Sequence, residues 1–132
     1  MAKKISISAN SIKNKFLMVL IVFLLCFFSG QAIAEDLGAI RSGETRSSSI
    51  DPVADMDTFN FYGNAGETVN IIMTGTGSIF FDPGLHLYDP DGILEVENMH
   101  SISSHKLLKT GLYTIVCNDW YNDQASTYKD RK

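Results

Sequence analysis

The chain has 132 residues, 45% of them hydrophobic, with 15 acidic and 11 basic side chains and a formal net charge of −4. Lys3, Lys4, Lys13 and Lys15 all precede the first acidic residue, Glu35, so the chain beyond Ala34 holds seven basic against fifteen acidic residues, a net charge of −8. A chain this acidic lacks the cationic footprint that DNA, RNA or an anionic lipid surface demands, which excludes nucleic acid as its main partner.

Every residue from Phe16 to Phe28 is apolar. A run of that size fits the core of a signal peptide, about 7–15 residues, and falls short of the roughly 20 needed to span a bilayer. Ser29, Gly30 and Gln31 follow, then Ala32-Ile33-Ala34, the small-x-small pattern of a signal-peptidase site. Residues 1–34 are therefore expected to be a helical signal peptide cleaved after Ala34. Membrane contact is then confined to export, and the mature protein is periplasmic or extracellular. Cys26, between Leu25 and Phe27, lacks the small neighbours of a lipoprotein site. Once the leader is removed, Cys117 is the only cysteine, and no intramolecular disulfide can form. What remains is enough for one modest domain.

Residues 35–44 read as a flexible leader, 45–128 as the domain and 129–132 as a charged tail. A weak first strand is predicted over Thr45–Ile50, ended by Asp51-Pro52. In Asp57–Tyr62 the apolar Phe59 and Phe61 alternate with Thr58, Asn60 and Tyr62, the two-residue period of a half-buried strand. Val69, Ile71 and Met73 alternate in the same way after a turn at Gly63–Gly66, as if closing a hairpin. Ile79-Phe80-Phe81 is a short apolar segment expected to go inside. Leu85 and Leu87 point inward from the next strand, leaving His86 towards solvent. Asp89-Pro90-Asp91-Gly92 is a tight turn leading to a return strand over Ile93–Glu97. Residues 98–110 carry less signal, although Leu107 and Leu108 are expected to pack, before a last clear strand with Tyr113, Ile115 and Cys117 on one face. No sustained 3.6-residue period occurs beyond the leader. Short strands between Gly and Asp turns predict an all-β fold, an antiparallel sandwich or barrel.

Four segments in fixed order carry a family resemblance: Asp57-x-Phe59-x-Phe61; Ala65-Gly66-Glu67-Thr68-Val69-x-Ile71; Asp82-Pro83-x-Leu85-x-Leu87-Tyr88-Asp89-Pro90-Asp91-Gly92; and Leu108-x-x-Gly111-x-Tyr113-x-Ile115. Spanning about residues 43–118, they resemble the bacterial pre-peptidase C-terminal domain, a secreted module that includes the collagen-binding domains of clostridial collagenases. The resemblance implies a small jelly-roll-like β-sandwich without catalytic activity, and a protein or extracellular polymer as partner. It also implies a closing Gly-x-Tyr-x-Leu-type strand. Here Ser126-Thr127-Tyr128 runs into Lys129-Asp130-Arg131-Lys132, so the last strand is expected to be incomplete and an edge unpaired, as in a truncated copy.

Catalytic patterns are lacking: His86, His100 and His105 accompany many serines, but neither G-x-S-x-G nor H-E-x-x-H occurs. Asp55, Asp57, Asp89 and Asp91 are oxygen donors in turn segments of the kind calcium takes, although Asp in turns also caps its own backbone. Calcium-binding relatives use acidic residues leading into the domain, where this chain offers Glu35, Asp36 and Glu44. Cys117, alternating with Tyr113 and Ile115, reads as a buried inert thiol. Trp120 and Tyr121 sit among Asn118, Asp119, Asn122 and Asp123, and two adjacent aromatics in a polar loop cannot both point into a core. They are the expected contact residues of a binding module. The alternatives are a self-associating protein that uses the unpaired sheet edge and a small secreted hydrolase.

Overall fold

The computed structural model describes residues 34–132, so the expected signal-peptide helix lies outside the described residues. Nine strands occur among the described residues: β1 (Glu35–Ala39), β2 (Thr45–Ile50), β3 (Asp57–Gly63), β4 (Thr68–Gly75), β5 (Pro83–Tyr88), β6 (Leu94–Met99), β7 (Ser101–Lys106), β8 (Gly111–Asp119) and β9 (Ser126–Arg131). They form two sheets, ordered β1-β3-β8-β5-β6 and β2-β9-β4-β7, paired antiparallel except for β1 alongside β3. The fold is an all-β sandwich.

The alternation read in the sequence becomes the core. Phe59, Phe61, Leu85, Leu87, Tyr113, Ile115 and Cys117 line the inner face of one sheet; Ile50, Val69, Ile71, Met73, Ile102 and Tyr128 line the other, and all are buried. Each such apolar side chain contributes roughly 1.5–3 kcal/mol by leaving water. Phe61 stacks on Tyr113 with centroids 5.4 Å apart. At the Asp89–Gly92 turn the Gly92 amide donates to the Asp89 carbonyl over 2.9 Å, with Gly92 at φ 75°, a conformation glycine adopts without penalty.

Several sequence expectations change. The leader is not irregular throughout, because Glu35–Ala39 pairs with β3. β3 and β4 do not form a hairpin: β3 pairs with β8, and β4 with β7 and β9, so the turn between them crosses from one sheet to the other. Only Phe81 of the Ile79-Phe80-Phe81 segment is buried; Ile79 is 90% and Phe80 69% exposed. Leu107 packs, but Leu108 is exposed. The closing strand expected to be incomplete is present as β9, paired with β2 over Ser126–Arg131 and with β4 over Tyr128–Arg131. Three of the four tail residues belong to it. Alternation explains this: Lys129 and Arg131 project outward while Tyr128 and Asp130 turn inward, so a run that reads as a charged tail still has a buried face. The sheet edges are β1, β6, β2 and β7, and none is left by a missing β9.

Candidate functional site

Three connections meet at one end of the sandwich. The first, residues 51–56, turns through an Asp55 amide bond to the Pro52 carbonyl (3.0 Å), and the Asp55 carboxylate accepts from the Met56 and Asp51 amides (2.8 and 3.4 Å). The second, residues 76–82, is tied to the start of β9: the Thr76 amide donates to the Thr127 carbonyl and the Ser78 amide to Ser126 Oγ, both over 2.8 Å. Gly77 permits that approach, since a Cβ there would lie 2.6 Å from Ser126 Oγ. The third, residues 120–125, is held by Asp119. Its buried carboxylate accepts from the amides of Asp82 (3.0 Å), Asp123 (2.9 Å) and Gln124 (3.2 Å), while the Trp120 amide donates to the Asp82 carbonyl (2.7 Å). A single carboxylate thus organises both long loops.

These loops are pinned through several of their backbone amides, while large apolar side chains on them stay exposed. Ile79, Phe80 and Tyr121 are exposed, with Val53 and Met56 exposed on the first connection. Ile79 also borders a groove of about 510 Å³ lined by Ile72, Met73, Ser78, Phe81 and His100. Trp120 and Tyr121 divide their roles: Trp120 is half-buried and stacks on His86 (centroids 5.7 Å apart, planes 7° apart), while Tyr121 is 64% exposed. His86 lies on the outer face as expected, with Nδ1 2.9 Å from Glu97 and Nε2 3.1 Å from Asn118 Oδ1. His105 Nε2 is 3.2 Å from Glu95. Among the described residues, no histidine nitrogen is hydrogen-bonded to a serine or cysteine.

The four aspartates proposed for calcium sit in two places. Asp57 is opposite Cys117 and is fully buried; the Tyr128 hydroxyl donates to it over 2.7 Å, while burial pushes its carboxyl above the usual range. Asp55, two residues away, caps its own loop. Asp89 and Asp91 flank the β5–β6 turn towards the opposite end, where Lys109 Nζ reaches both, at 2.5 and 2.6 Å. The Lys109 ammonium holds the Asp89 carboxyl below its ordinary value. No group of three or more His, Cys, Asp or Glu side chains that could hold a metal ion occurs among the described residues. Cys117 is fully buried, and burial pushes its thiol well up, away from reactivity.

Sequence reading singled out Trp120 and Tyr121 but passed over Ile79, Phe80 and Asp119. The signal for Asp119 was available: the Asn122 amide donates to its carbonyl (3.0 Å), a turn with Asp in the first position, where Asp is favoured.

Solved structures of known proteins share this fold. The pre-peptidase C-terminal domain of a collagenase from Bacillus anthracis superposes with a TM-score of 0.55 at 15% identity, covering 76% of this chain and 95% of that one. The fold is that of a pre-peptidase C-terminal domain. The periplasmic inhibitor of g-type lysozyme from Aeromonas hydrophila matches with a TM-score of 0.59 at 11% identity, covering 74% of this chain and 96% of the inhibitor. No family model matches the sequence, and no curated protein does. At these identities the likeness is one of fold.

Proposed function

We propose that this chain is an exported, non-catalytic β-sandwich module that binds a protein partner through the loop end, with Tyr121, Ile79 and Phe80 as contacts and Trp120 as their support. The observation that carries the reading is the exposure of Ile79, Phe80 and Tyr121 on two loops hydrogen-bonded to each other through Asp82 and Asp119. Rigid backbone bearing exposed large apolar side chains suits recognition, because little ordering entropy is lost on binding. The pairing of His86 and His105 with Glu97 and Glu95, rather than with nucleophiles, supports a role without catalysis. One protein of this fold inhibits a lysozyme in the periplasm and another is a domain of a collagenase. Both support an exported module with a protein partner. The N-terminal signal pattern supports export independently.

Calorimetric titration with a g-type lysozyme and, separately, with soluble collagen tests the proposal. Binding to either is expected to weaken at least tenfold in Phe80→Ser and Tyr121→Ser and to be unchanged in Leu108→Ser at the other end. Loss confined to Leu108→Ser would move the site. Absence of binding to both probes would remove the reading for these two partner types, and a concentration-dependent dimer in the same samples would favour self-association instead.

A further inference from the structure

Between the sheets lies a set of ionisable groups that the loop end does not use. Tyr128 and Asp130 are inward positions of β9 and Asp57 and Cys117 face each other across β3 and β8; all four are completely buried. The Tyr128 hydroxyl donates to Asp57 across the gap between the sheets. Asp130 is in a different position: neither of its carboxylate oxygens has a hydrogen-bond partner among the described residues.

The cations closest in register are directed elsewhere: Lys132, two residues further on, holds its Nζ 3.6 Å from the centroid of the Phe61 ring, and none offsets the burial of Asp130. Arg46 is its register partner on β2, but its guanidinium is directed to the Ala39 carbonyl (3.0 Å) and the Glu44 carboxylate (2.9 Å). Met73 opposes it on β4 and is apolar. On β8 the Cys117 thiol, on β3 the Asp57 carboxyl and on β9 itself the Tyr128 hydroxyl all have their ionisation suppressed, chiefly by burial. The flanking Lys129 and Arg131 side chains project outward. A buried carboxylate with no cation beside it, and with the adjacent Arg131 amide as its one weak donor, takes up a proton rather than stay charged.

We propose that Asp130 is a buried proton-binding site that makes the seating of strand β9, and with it the stability of the sandwich, depend on pH. Burial pushes its carboxyl up to about 7 from the ordinary 3.8, with only the neighbouring Arg131 amide pulling the other way. The folded protein therefore keeps a proton that the unfolded chain releases. Where the folded state binds more protons, stability declines as pH rises, here from 3.8 towards about 7, and levels off above that. β9 lies between β2 and β4, and its first residues hold the 76–82 loop, so its loosening reaches the loop end as well. The inference is independent of which partner binds there.

Thermal denaturation of the full chain at about pH 5 and about pH 8, with hydrogen-exchange protection factors for β9, tests this. The wild type is expected to melt lower at the higher pH by more than about 5 °C, with β9 losing protection. Asp130→Asn is expected to remove most of that difference. Equal melting at both pH values, or a full difference retained in Asp130→Asn, would overturn the proposal. Should Asp130→Asn fail to fold, the infrared spectrum of wild-type protein labelled with 13C in its aspartate carboxyls decides. A protonated-carboxyl band at about pH 6 that vanishes by about pH 8, and that persists in Asp57→Asn, supports the site. Full ionisation at the lower pH, or loss of the band in Asp57→Asn, overturns it.

Discussion

The two ends of the sandwich are built from the same residue types, and both cap backbone with carboxylates, but among the described residues one adds an ion-pair cluster that the other lacks. At the end formed by residues 63–67, 89–93 and 107–110, side chains cap backbone, Asp89 taking the Asp91 and Ile93 amides, and also close on one another through an ion-pair cluster. Lys109 joins Asp89 and Asp91, Glu67 accepts from the Asn64 amide and side chain (2.8 and 2.9 Å), Thr110 Oγ1 accepts from the Ala65 amide (2.9 Å), and the Tyr113 hydroxyl donates to the Lys109 carbonyl (3.0 Å). At the end formed by residues 51–56, 76–82 and 120–125, the polar side chains turn back onto the backbone beneath them. Asp55 and Asp119 cap amides, and the loop tips are left to Ile79, Phe80 and Tyr121. The first end also exposes Ile93, Leu108 and Leu112, but beside turns pinned by ion pairs. The difference lies in the ion-pair cluster. Ion pairs between side chains occupy a surface, whereas carboxylates that only cap backbone leave it open for a partner.

This contrast can be broken at either end. The largest effect is expected from Asp119→Ala, which leaves three amides without their acceptor and should cost about 2–3 kcal/mol in chemical denaturation, together with loss of exchange protection across residues 82 and 120–124. Retained loop protection would show that Asp119 does not organise this end. Gly63→Ala tests the opposite end. An added Cβ would collide with Leu107 Cδ1, whose side chain is buried, so a loss of about 1–3 kcal/mol is expected. The loops around Tyr121 should keep their exchange rates, and coupled loosening of both ends would undo the distinction between them. The smallest effect is expected from calcium. Because Lys109 already neutralises Asp89 and Asp91, and Tyr128 engages Asp57, millimolar calcium should leave the melting temperature unchanged. A rise that grows with calcium concentration would reveal a site these contacts do not suggest.

Much of the core was legible because burial followed a strict period of two. Phe59/Phe61, Val69/Ile71/Met73, Leu85/Leu87 and Tyr113/Ile115/Cys117 are each buried on the face that alternation assigned them. The reading failed where a segment departs from that rule. Ile79 and Phe80 read as core on hydrophobicity alone, but only one residue of their tripeptide finds space inside. β9 failed for the opposite reason, since Lys129, Asp130 and Arg131 suggest solvent although every second position faces inward. Of the candidate site, the aromatic pair was visible and its anchor was not, because the amide of Asp82 that Asp119 captures is 37 residues distant in the chain.

The sequence by itself determined which side chains alternate inward, where the Gly, Pro and Asp turns fall, and the acidic net charge. Those properties depend on near neighbours and on composition. Only the tertiary structure decided which strand lies beside which, that β9 enters between β2 and β4, that Asp119 ties two loops together and that Asp130 is sealed without a partner. Each of these depends on groups far apart in sequence. A hydrogen-bond ladder or a buried carboxyl takes its character from what the fold places opposite it, and local pattern carries no record of that.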